Sequence, residues 1–155
     1  MMKKLIFGGL IALSALTANA QDKTEGVKES LTLGIHLGSI HDRGDYNNVN
    51  PGLYVRSGGW TGGIYRNSLR KTSIYGGYTF DYETPSLPLV KTVSLTVGVV
   101  SGYPNKIKGT KLSLMLAPSV KIPLTQETSL RLTVLPRFKA YNEATAYHFS
   151  IEKSF

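Results

Sequence analysis

The stretch that decides the fold is the last one, Tyr147-His148-Phe149-Ser150-Ile151-Glu152-Lys153-Ser154-Phe155. Tyr147, Phe149, Ile151 and Phe155 fall on one face and His148, Ser150, Glu152 and Ser154 on the other. Successive side chains of a strand point to opposite sides, so this is a strand with one apolar and one polar face. In a water-soluble sandwich the polar face would meet solvent and the final residue would be arbitrary. In an outer-membrane barrel the apolar face meets lipid, the polar face lines the lumen, and the last strand closes against the first. Lys153 alone interrupts the apolar face, near its end, where a long side chain can snorkel to the interface.

The same alternation recurs upstream. Leu31, Leu33, Ile35 and Leu37 alternate with Thr32, Gly34, His36 and Gly38, which points His36 inward. Pro51-Gly52 opens a second strand with Leu53 and Val55 out and Tyr54 and Arg56 in. A third runs from about Trp60 to Arg66, with Ile64 out and Tyr65 in. The fourth, Thr72 to Tyr82, puts Ile74, Tyr78, Phe80 and Tyr82 on one face and Ser73, Tyr75, Gly77 and Thr79 on the other. Val93, Leu95, Val97 and Val99 mark the fifth, Leu112, Leu114 and Leu116 the sixth, and Leu130, Leu132 and Val134 the seventh. With the terminal strand this gives an all-β, eight-stranded antiparallel transmembrane barrel, the smallest common outer-membrane size.

The remaining composition agrees. Lys3 and Lys4, an apolar run from Leu5 to Leu16 and Ala18-Asn19-Ala20 make residues 1–20 a cleavable secretory signal. Residues 21–30 are a short polar periplasmic lead-in, and 31–155 form a single barrel domain. That places the chain in the outer membrane as an exported, multi-pass barrel, expected to be a monomer. The absence of cysteine leaves strand pairing, with no disulfides, to hold an exported fold. The net charge of +8 does not point to nucleic acid, because the chain is exported. The terminal Phe155, with apolar residues two apart before it, looks like the signal by which the barrel-assembly machinery recognises such chains.

Strand one running outward from the periplasm puts the outer loops at roughly 39–50, 67–71, 102–109 and 137–145. The periplasmic turns then fall at 57–59, 83–90 and 122–128. Arg43, Arg66, Arg70, Lys71, Lys106, Lys108, Lys111, Arg137 and Lys139 lie in or beside the outer loops, against Asp42, Asp45 and Glu143. Such a rim suits the phosphorylated sugars of lipopolysaccharide, and equally suits ordinary solvated loops.

Few residues can carry chemistry. His36 faces inward near the outer end of strand one, and Asn67 and Ser68 stand where strand three leaves the outer leaflet. A His and a Ser at one lumen mouth suit acyl transfer, with His as general base and Ser as nucleophile or positioning group. The bland reading is hydrogen-bonded packing inside a narrow barrel. His148, Ser150 and Glu152 also face inward, with the His-x-Ser spacing of PagL-type lipid A deacylases, but one strand spreads them over roughly 13 Å. Lumen packing, with Arg131 or Arg56 pairing Glu152, is the better reading of those three. Tyr75, Tyr78, Phe80, Tyr82, Trp60 and Tyr147 invite a ligand-pocket reading, but most sit on the lipid face near strand ends, where aromatic girdles belong. No metal-ligand spacing and no phosphate-binding loop is present, so neither metal nor cofactor is expected.

Several short motifs resemble the PagP family of outer-membrane lipid A palmitoyltransferases. They are Ile35-His36, Tyr46-Asn47, Pro51-Gly52, Gly63-Ile64-Tyr65-Arg66-Asn67-Ser68 and Ile74-Tyr75-Gly76-Gly77-Tyr78. Leu116-Ala117-Pro118-Ser119-Val120 and Leu132-Thr133-Val134-Leu135-Pro136 are similar to the family's sixth and seventh strands. The resemblance implies a barrel that takes a phospholipid sideways and moves its palmitoyl chain to lipid A. It implies catalytic roles for His36 and Ser68, and lateral lipid access beside Pro51, Pro118 and Pro136, since proline cannot donate a ladder hydrogen bond. Two departures stand out: Asn67 replaces the family's Asp, and residues 21–30 carry no amphipathic helix pattern. A non-catalytic barrel that binds or stabilises lipopolysaccharide is the competing reading.

Overall fold

A computed structural model describes residues 31–137 and 143–155. The segments expected to be a signal and a polar lead-in, residues 1–30, and Lys139 lie outside the described residues. Eight strands follow one another: β1 (Thr32–His41), β2 (Val49–Ser57), β3 (Trp60–Arg66), β4 (Thr72–Glu83), β5 (Thr92–Ser101), β6 (Leu112–Pro123), β7 (Thr128–Leu135) and β8 (Ala146–Ser154). Each pairs antiparallel with the next and β8 returns to β1, closing the barrel. The last amide completes the seam, Phe155 N donating to the Leu31 carbonyl at 2.8 Å. Connections 42–48, 67–71 and 102–111, with the described residues 136–137 and 143–145, form one end, the loop end. Connections 58–59, 84–91 and 124–127 form the other, the turn end.

The barrel is inside out relative to a water-soluble protein. Leu53 and Ile74 are 62% and 61% exposed on its outer wall, while Glu152 is 1% and Asn67 0% exposed within. Leu33, Ile35, Ile64, Leu114, Leu116 and Ile151 continue the apolar exterior around the circumference. A continuous apolar belt of this kind is far larger than the scattered patches of soluble monomers and suits hydrocarbon. Lys153, on that belt, pairs with Glu127 at the turn end at 3.4 Å.

The first two strands reach further toward the loop end than the alternation foretold. β1 runs past Gly38 because Leu37 is an inserted residue against β8: His36 faces Ser150, and Gly38 faces Phe149. Such a bulge shifts the parity of everything after it. Ser39 is therefore buried and Ile40 exposed, the reverse of their period-two places. β2 begins at Val49, so Pro51 sits inside a strand and does not open one.

Two seams are interrupted. Between β1 and β2 the register jumps from His36↔Gly52 to Gly38↔Val49, leaving Asn50 and Pro51 opposite Leu37. Side chains close this one: Ser39 Oγ donates to Asn50 Oδ1 at 2.6 Å, and Asn50 Nδ2 donates to the Arg66 carbonyl at 2.9 Å. Between β6 and β7 the pairs run only from Pro123↔Ser129 to Ser119↔Thr133. Pro118 comes next on β6 and Pro136 just beyond β7, and neither ring nitrogen has a proton to donate. Among the described residues, 112–118 of β6 have a ladder partner on β5 but none on β7.

Candidate functional site

The lumen has two storeys. Toward the turn end it is filled by charge. Arg131, from β7, holds Glu152, from β8, with two parallel bonds: Nε to Oε2 at 2.9 Å and Nη2 to Oε1 at 3.0 Å. Tyr54 donates its hydroxyl to Glu152 Oε2 at 2.8 Å, and Lys121 stands 3.3 Å from Oε1. The third guanidinium nitrogen donates to Ser119 Oγ at 2.8 Å and Ser94 Oγ at 3.0 Å. Ser94 donates in turn to Asp81, which pairs with Arg56. Of the two partners that the sequence offered Glu152, Arg131 takes it and Arg56 takes Asp81. Tyr54 fits because Gly34 lies beneath it; a Cβ there would fall inside its ring.

A cavity of about 110 Å³ is lined toward the loop end by His36, Ser68, tyrosines 65, 75 and 103, and the apolar Met115, Ala117 and Leu135, and reaches Arg56, Ser119 and Arg131 of the charged network below. His36 is held from two sides. Its Nδ1 lies 2.8 Å from His148 Nε2, and its Nε2 lies 3.0 Å from the Tyr75 hydroxyl. The rings of Tyr54 and Tyr65 pack against it with centroids 4.9 and 5.2 Å away. These contacts follow from barrel closure, which sets β8 beside β1. Tyr75 is therefore no girdle residue, whereas Trp60 and Tyr78 meet edge to face near the outer wall.

Ser68 lines the same cavity but is not bonded to His36, whose ring nitrogens are both taken. Its neighbour is Tyr103, whose hydroxyl lies 3.0 Å from that of Tyr65. Burial pushes the Tyr103 phenol above its ordinary pKa, so it stays protonated and able to donate. Asn67 points away from this group and builds its loop. Its Nδ2 donates to Ser73 Oγ (2.9 Å) and to the Gly102 carbonyl (3.2 Å). Its Oδ1 accepts from the amides of Leu69 and Lys71, both at 2.9 Å, around the left-handed Arg70. An Asp could supply the two acceptor bonds but neither donor bond.

Of the prolines, Pro118 and Pro136 flank the loop-end part of the β6–β7 seam, which has no ladder pairs among the described residues and borders Met115, Ala117 and Leu135 of the cavity wall. Pro51 flanks the side-chain-closed seam. Of the basic residues, Arg66, Lys71 and Arg137 are exposed at the loop end. Arg43 pairs with Asp42 at 3.3 Å and Arg70 with Asp45 at 3.7 Å. Asp42 also accepts from the Thr145 amide at 2.9 Å. The Arg43 hydrogen bond, helped by that amide, holds the Asp42 carboxyl below its ordinary pKa. Among the described residues no group of three or more His, Asp or Glu side chains could hold a metal ion.

Sequence reasoning placed His36 and His148 inward, set Tyr75 on the face of Ser73 without saying which way it points, and did not join the three. The signal was available: closing strand eight on strand one sets the inward His148 beside the inward end of β1. Asn67 offered no such signal, because loop geometry is not periodic.

No protein-family model matches the chain, and no curated protein does. Among solved structures it is similar to Neisserial surface protein A (NspA), at 15% identity, over 81% of this chain and 96% of that one, with a TM-score of 0.37. At that distance the likeness carries no argument, and the eight-stranded barrel rests on the strand pairing itself.

Proposed function

We propose that this chain is an outer-membrane barrel that admits a lipid acyl chain from the bilayer into its lumen and transfers it from phospholipid to lipid A. The observation that carries this reading is the coincidence of two features: the β6–β7 seam stops at Pro118, and the wall beside it lines the cavity that holds His36 and Ser68. The apolar belt supports the membrane setting, and closed barrels are the strand architecture that satisfies every backbone group in lipid. The exposed Arg66, Lys71 and Arg137 are suited to lipopolysaccharide phosphates at the loop end. A cavity of about 110 Å³ takes only part of a palmitoyl chain, so the rest would lie in the seam and the surrounding lipid.

In the transfer, the lipid A hydroxyl attacks the phospholipid ester carbonyl as His36 removes its proton. The new acyl–oxygen bond forms, the glycerol–acyl bond breaks, and the departing glycerol oxygen receives the proton. Ser68, which lines the same cavity, serves in this step as a hydrogen-bond donor to the ester.

A specific observation favours the second reading, a barrel that binds lipopolysaccharide without chemistry. Asn67 is spent on its loop, and no carboxylate adjoins His36 among the contacts of its ring nitrogens. Mass spectrometry of lipid A from cells making this chain decides between them. A gain of one acyl chain, lost in His36→Ala and Ser68→Ala, supports transfer. An unchanged spectrum from a correctly inserted barrel sinks it and leaves the binding reading.

A further inference from the structure

The lumen's carboxylates are committed elsewhere. Glu152 is saturated by Arg131, Tyr54 and Lys121, and Asp81 by Arg56 and Ser94. A histidine base needs a partner to fix its tautomer and take up developing charge, and here that partner is a second imidazole. We propose that His148 is the positioning residue of His36, and that His148, His36 and Tyr75 form one proton relay across the mouth of the cavity. This rests on the acyl-transfer reading above.

The distances, 2.8 and 3.0 Å, fix the relay's geometry and leave its polarity open. In one arrangement Tyr75 donates to His36 Nε2, and His36 Nδ1–H donates to His148 Nε2. In the other every proton lies on the opposite atom, so His148 donates to His36 and His36 donates to the tyrosine oxygen. Only the first leaves His36 Nε2 free to accept. An acceptor hydroxyl that takes Tyr75's place gives its proton to Nε2, while Nδ1 passes its own to His148. The positive charge then rests on His148, one ring further from the reacting carbonyl. The same protons return when the glycerol oxygen departs, so the relay is restored and no outside acid is consumed. Ring packing from Tyr54 and Tyr65 fixes the plane in which this occurs.

Two measurements test the relay. In ¹⁵N-histidine-labelled barrel in micelles, a nitrogen–nitrogen coupling through the hydrogen bond should link His36 Nδ1 to His148 Nε2 and vanish in His148→Gln. Its absence from the folded wild type overturns the relay whatever the activity. In lipid A acylation assays, His148→Ala should lower kcat by about 10²-fold and change KM far less, since it misorients the base while altering one of many residues that line the cavity. His148→Gln should recover part of that loss, because an amide orients the ring but accepts no proton. An unchanged kcat in folded His148→Ala, with active wild type, overturns the proposal and leaves the transfer reading standing. A wild type with the coupling but no transfer activity overturns the transfer reading and the relay's catalytic role together.

Discussion

The two storeys of the lumen solve one problem, how to line a narrow barrel with polar groups, in opposite ways. At the floor every oxygen of Glu152 has at least two partners and the Arg131 nitrogens are spent on fixed acceptors. Above it, His36, His148 and Tyr75 are neutral groups joined by bonds that can reverse direction. A charged network has one good arrangement and costs much to disturb; a neutral one has two of nearly equal worth. The lower storey is built to stay as it is, and the upper to exchange a partner.

The comparison breaks most sharply at Glu152. Truncating it in Glu152→Ala strands the Arg131 guanidinium in the lumen and should cost about 3–5 kcal/mol, read as a lower urea midpoint in micelles. His36→Ala, its counterpart above, should cost about 1–2 kcal/mol, because no charge is left unpaired. Equal losses would mean that the storeys do not differ.

Asn67→Asp comes next. Restoring the residue of the family that the motifs resemble removes both donor bonds and sets a carboxylate against the Gly102 carbonyl, a loss of about 2–3 kcal/mol. Transfer activity should not rise; a gain would show that position 67 acts on His36 after all.

Smaller again is the seam. Pro118→Ala with Pro136→Ala returns two backbone donors, and closure should stabilise the barrel by about 1 kcal/mol per bond formed while slowing acyl transfer. Faster transfer would place lipid entry elsewhere. Least of all is Asp42, outside both storeys. Its carboxyl is held below the ordinary value, so its contribution is present above that value and fades as pH falls through the lowered one. Asp42→Asn should blunt this acid loosening between the end of β1 and Thr145, measured by amide exchange at Thr145.

Legibility followed periodicity. The alternation in β5, β6 and β8 placed inward and outward residues correctly because period two needs no tertiary information. It failed at Leu37, where an inserted residue resets the count, and so mistook Ser39 and Ile40 for loop. Arg131 was a fair candidate for Glu152 because both were read as inward and charged. Nothing in the pattern ranked it above Arg56, since that choice depends on register across three strands. The role of Asn67 was out of reach: its partners, Ser73 at the start of β4 and Gly102 in the loop after β5, are set by how its loop folds against them.

The closing bond of Phe155 to Leu31 bears on how this protein is born. Thr32 and Ser154, whose hydroxyls meet across that seam, are 122 positions apart. Until the final strand arrives β1 and β7 each lack a neighbour, and neither storey of the lumen is complete. Contacts of that separation carry a large loop-closure cost, and chains rich in them fold slowly. A chain that loses its last strand leaves Arg131 without Glu152 and His36 without His148, so an unfinished copy completes neither storey.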